Sequence, residues 1–147
     1  MLIYFRIFLF FILGALGVQG LAFACNIDGA LASESAGAES VAQFERLKAQ
    51  YAADEILNAN RIGTALSDDP AHRAASFLSR EQLEAGQVFT FRGGDGVQRT
   101  LLQTQGGFNS QTGIYEYIIE GSDITHQRFI DGGRITGFPN QIPSKLP

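Results

Sequence analysis

The sequence predicts an α+β domain in which N-terminal helices pack on one face of a four- to five-stranded antiparallel sheet. Three observations predict it. Apolar residues recur at helical spacing up to about residue 85, the period changes to alternation after Gln87, and the alternating segments are joined by short glycine-rich turns. Helices first and a meander of strands afterwards is the α+β arrangement, with the helices gathered on one side. The 147 residues are 45% hydrophobic and 18% charged, enough for one packed core and too apolar for a disordered chain.

Residues 1–24 read as a secretory signal peptide. Arg6 is the only charge, residues 7–16 are apolar, and Ala22 and Ala24 suit cleavage before Cys25. The alternative is an uncleaved membrane anchor, for which the segment is barely long enough. Cys25 is the sole cysteine, so no disulfide can form within the chain. Its position resembles a lipoprotein junction, where it would carry a lipid, although Leu21 lies one place too far upstream. One cysteine and two histidines are too few for a zinc site of the usual kind. Residues 25–39 are small and polar and read as a flexible tether, leaving 40–147 as the single domain.

Ser40 and Gln43 form a capping box for an amphipathic helix over about 41–60, in which Val41, Phe44, Leu47 and Tyr51 recur at helical spacing and Phe44 and Tyr51 are expected to pack in the core. Asp69 before Pro70 starts a second helix over 71–78, and Ser79 with Gln82 starts a third that ends at Gly86. Strands are expected at 88–92, 97–104, 114–119, 124–130 and 134–138, with a polar loop at 105–113. The turn at 93–96 lacks the lysine and following helix of a phosphate loop and reads as a hairpin turn. Prolines 139, 143 and 147 forbid a long terminal element. The sheet face away from the helices is expected to be free to hold a site.

The chemistry concentrates near the end. Alternation along 124–130 places His126 and Arg128 side by side, a group able to titrate near neutral pH beside a fixed cation. Arg134 and Thr136 follow on the next strand. His72 and Arg73 stand at the start of the second helix. The net charge of −4 argues against a general nucleic-acid binder, but the acidic surplus lies wholly ahead of Ala71, and beyond it charges balance with arginine dominating lysine. No serine nucleophile elbow or paired-histidine metal motif occurs.

The words SDDPAHRAASF (67–77), FRGGDGVQRTLLQT (91–104), GIYEY (113–117) and THQRFI (125–130), with Gly132, Gly133, Gly137 and PNQ (139–141), resemble C-terminal toxin modules. These are modules of bacterial filamentous-haemagglutinin and contact-dependent growth inhibition proteins. The resemblance spans about residues 51–141. It implies a fold of the barnase, EndoU, colicin and RelE group, an exported RNase that often cuts tRNA, and a cognate immunity protein.

Chemistry then assigns the roles. A metal-independent RNase needs a base for the ribose 2′-hydroxyl, an acid for the leaving oxygen and cations for the phosphorane. His126 is the candidate base or acid and His72 its partner. Arg128, with Arg73 or Arg134, would hold phosphate, Thr136 would donate a hydrogen bond, and Tyr117 or Tyr115 would stack a base. No cofactor or metal is called for. The competing readings are an exported non-enzymatic binding domain or lipoprotein, and an inactive toxin relic that binds its immunity protein. In both, His126 and Arg128 are a strand face paired with a neighbour such as Glu116. Geometry discriminates: one phosphodiester needs His72 and His126 within about 10 Å.

Overall fold

The computed structural model describes residues 27–140; the leader, Cys25 and prolines 143 and 147 lie outside them. The fold is α+β. Helix α1 (Ile27–Asn58) leads to a two-residue strand β1 (Asn60–Arg61), a 3₁₀ turn (Gly63–Leu66) and two short helices, α2 (Pro70–Ala75) and α3 (Arg80–Glu84). Strands β2 (Gln87–Arg92), β3 (Gln98–Phe108), β4 (Gln111–Glu120) and β5 (Asp123–Asp131) follow. The sheet order is β1-β5-β4-β3-β2. Strands β2 to β5 form the expected antiparallel meander, but β1 runs parallel to β5, so the sheet is mixed.

Several expectations need correction. The segment read as a tether is helical from Ile27, and the Ser40–Gln43 box lies inside α1 rather than at its start. Val41, Phe44, Leu47 and Tyr51 do not face the core; they are 56–68% exposed. Helix α3 and the β2 edge of the sheet take the adjacent stripe of Ala49, Ala52, Ala53 and Ile56 instead, since small side chains let neighbouring elements lie close. Residues 105–113 are not a loop. Both strands run on to a two-residue turn, Asn109-Ser110, whose positive φ values of 50° and 64° match the twist of a tight hairpin.

The start signals at the two short helices do operate. Asp69 accepts from the N–H groups of Ala71 and His72, and Ser79 and Gln82 form a reciprocal capping box. The 93–96 segment is a hairpin turn, tied by Arg99 bridging Asp95 and Glu120.

The helix-side core joins Ile56, Ala75 and Leu83 to Leu102, Tyr117, Ile119, Ile124 and Phe129. Tyr117 is fully buried, and its hydroxyl donates to the Ala75 carbonyl, fastening α2 to the middle of the sheet. Tyr117→Phe is therefore expected to lower unfolding free energy by about 1–2 kcal/mol in urea denaturation, the value of a buried hydrogen bond whose acceptor is left unpaired.

The opposite face is not free. Residues 134–138, expected as a fifth strand, are irregular and cross this face. Gln103 and Glu116, both fully buried, hold the segment by its backbone. The N–H groups of Thr136 and Gly137 donate to Gln103 Oε1, Gln103 Nε2 donates to the Phe138 carbonyl, and the Asn140 N–H donates to Glu116 Oε1.

Candidate active site

The chain's two histidines, far apart in sequence, meet. Their ring centroids are 5.4 Å apart, with the rings nearly perpendicular. Two local features bring them together. Asp69 caps α2 and Pro70 begins it, which sets His72 in the helix's single turn and a half, facing the edge of the sheet. On the other side, β5 carries a bulge. Ile118 pairs with His126 but Ile119 pairs with Ile124, leaving Thr125 as the extra residue. A bulge bends its strand and re-aims the next side chain. It falls where β1 ends, so His126 lies at an edge covered only by the 3₁₀ turn and α2.

Each ring has a polar neighbour on its Nδ1. His126 Nδ1 lies 2.8 Å from Thr64 Oγ1, and Thr64 Oγ1 also lies 3.1 Å from the Thr125 carbonyl oxygen. His72 Nδ1 lies 2.5 Å from Asp69 Oδ2. At that distance the carboxylate engages the ring directly. For Asp69, burial alone would raise the carboxyl pKa. Donation from the His72 backbone N–H, attraction to the His72 ring, a hydrogen bond from that ring and donation from the Ala71 N–H outweigh it, and the net direction is down.

His126 is pushed down to about 4, chiefly by burial, then by the positive charge of Arg128 and by His72. The register puts Arg128 on the same face of β5 as His126, two residues along, which accounts for its effect on the imidazole. Arg128 also lies across from Glu116, whose carboxyl is raised by burial, with the Asn140 N–H, Gln103 and Arg128 pulling the other way. So Arg128 serves two neighbours, the imidazole on its own strand and the carboxylate on β4.

A pH dependence of stability follows. An unfolded histidine takes a proton near 6.5, whereas folded His126 takes one only near 4. Above about pH 6.5 both states are neutral and nothing is contributed. As pH falls from 6.5 to 4 the unfolded chain binds a proton that the folded chain refuses, so stability is lost through that window. Partial exposure of the ring reduces the effect to about 1–2 kcal/mol. Denaturation midpoints at pH 7 and pH 4.5 should differ by more in the native chain than in His126→Gln.

The other expected site residues divide. Arg73 is exposed and pairs with Asp68 at 3.3 Å. Arg134 lines a separate hollow of about 530 Å³ floored by Gly106, Gly113, Gly132 and Gly133, with Gln105 and Thr112. Thr136 lies on the segment held by Gln103, its hydroxyl accepting from the Phe138 N–H. Tyr117, expected to stack a base, is buried in the helix-side core, as is Tyr115, so neither offers a ring face to a ligand. Two residues at the site were not singled out for it: Thr64, and Asp69 beyond its role as a cap. Among the described residues, no group of three or more His, Cys, Asp or Glu side chains is placed to hold a metal ion. No described helix is long and apolar enough to cross a membrane.

No protein-family model, no curated protein and no solved structure matches the chain.

Proposed function

We propose that the chain is an exported toxin-like RNase that cleaves RNA without a metal, using the two imidazoles as its acid and base. One observation carries the reading: both histidines of the chain converge at one sheet edge, 5.4 Å between ring centroids, beside an arginine. His126 is in the unprotonated form that a base for the 2′-hydroxyl requires across neutral pH, at the cost of basic strength, since its pKa lies well below the operating pH. His72, backed by Asp69, would deliver a proton to the leaving 5′-oxygen. Arg128 would balance charge on the phosphorane. The resemblance of the quoted sequence words to growth-inhibition toxins supports RNA, including tRNA, as substrate and an immunity protein as partner.

The geometry adds a condition. His126 Nε2 has essentially no solvent-accessible surface and no hydrogen-bond partner among the described residues. The His72 side chain is 15% exposed and stands edge-on to the His126 ring. Nε2 must therefore become accessible before it can act on a substrate. The same occlusion favours a second reading, an exported domain that binds a protein partner without catalysis. Incubation of the purified chain with total RNA in EDTA separates them. Cleavage that His72→Ala or His126→Ala removes supports the enzyme; intact RNA leaves the binding domain.

A further inference from the structure

We infer that Thr64 is a positioning residue that fixes the proton of His126 on Nδ1, and so presents Nε2 as a bare lone pair. The assignment of a role to that lone pair rests on the RNase reading; the assignment of the proton does not.

The argument is a count of protons. Thr64 has one hydroxyl proton and two neighbours in range, the Thr125 carbonyl at 3.1 Å and His126 Nδ1 at 2.8 Å. A carbonyl oxygen can only accept. If the hydroxyl donates to Thr125, Nδ1 must carry the ring proton and donate to Thr64 Oγ1, and both contacts are hydrogen bonds. If the hydroxyl donates to Nδ1 instead, the carbonyl loses the Thr64 donor, which water can replace at this exposed residue, and the ring proton moves to Nε2. There it would be a buried N–H with no partner among the described residues. Buried unsatisfied donors are rarer in folded proteins than under-used acceptors. The first arrangement keeps one more hydrogen bond within the protein, a bias of roughly five-fold, and also avoids the stranded donor. An unconstrained histidine ring in water prefers the opposite arrangement, with its proton on Nε2, so the threonine reverses an intrinsic preference.

Burial, and after it the charges of Arg128 and His72, oppose a second proton on the ring, so the ring is neutral near pH 7 and the choice of nitrogen falls to Thr64. Thr64 is held for this task by its backbone. It is the second residue of the 3₁₀ turn, which Gly63 enters at a φ of 57°, a conformation that favours glycine. A Cβ on Gly63 would also lie 3.3 Å from the Thr125 carbonyl oxygen, the acceptor that the argument needs.

The test is imidazole nitrogen NMR on the full chain, with Thr64→Val and Thr64→Ser compared at pH 7. The native chain and Thr64→Ser should show His126 protonated on Nδ1, and Thr64→Val should move the proton largely to Nε2. If the native chain carries the proton on Nε2, or Thr64→Val leaves it on Nδ1, the inference is overturned. RNA cleavage is read in parallel. Thr64→Val should lower kcat at least ten-fold at little change in KM and shift the acid limb of the pH profile, and serine should restore both. Spectra as expected with no cleavage by the native chain would sink the RNase reading and leave the proton assignment standing.

Discussion

His126→Ala is expected to lower RNA cleavage in EDTA by about 10²–10⁴-fold, the range that a positioned acid or base contributes. On the proposed reading the change removes the base. His72 is the only other histidine, and its Nδ1 is engaged by Asp69. Because an alanine at a half-buried position also leaves a gap, His126→Asn is the paired variant. Its amide can keep the contact with Thr64 while supplying no base. Both variants should fold, as judged by urea denaturation at pH 7, and both should be inactive. Full activity in His126→Asn would show that the imidazole takes no part in the chemistry.

Gln103→Leu is expected to lower unfolding free energy by about 2–4 kcal/mol. One side chain makes four hydrogen bonds: it accepts from Thr136 and Gly137 and donates to Glu116 and the Phe138 carbonyl. Leucine preserves the volume but strands these groups, and a buried polar group left unpaired costs about 1–3 kcal/mol. Relaxation of the segment into water offsets part of the sum. Glu116 is the worst affected, since it is fully buried and loses the Gln103 donor on Oε2. The readouts are the urea midpoint and the rate of proteolysis after Arg134. A change below 0.5 kcal/mol would mean that the segment is not held through Gln103.

Much of this was legible in the sequence, because it rests on local chemistry. Asp69-Pro70 and the Ser79–Gln82 box operate as read, since caps depend on residues within one helical turn. The hairpin strands followed from alternation and from glycine turns. Adjacency of His126 and Arg128 needed only the two-residue period. What escaped depends on distant partners. Strand β1 is two residues long and has no period to detect. The segment 134–138 alternates like a strand, but its backbone is bound by a side chain rather than by a neighbouring strand. On α1 two stripes compete, and tertiary packing by α3 and the sheet selects the alanine one. Tyr117 alternates onto the helix side, so burial defeats its proposed stacking role. Thr64 carries no motif, and its contact with His126 arises from a bulge that alternation cannot show.

The chemical ends of the RNA fragments made in EDTA test the account most directly. A 2′-hydroxyl activated by an imidazole attacks the adjacent phosphorus, so the fragments should carry 2′,3′-cyclic phosphates and 5′-hydroxyls. Intact RNA, or fragments with 5′-phosphates and 3′-hydroxyls, would contradict it.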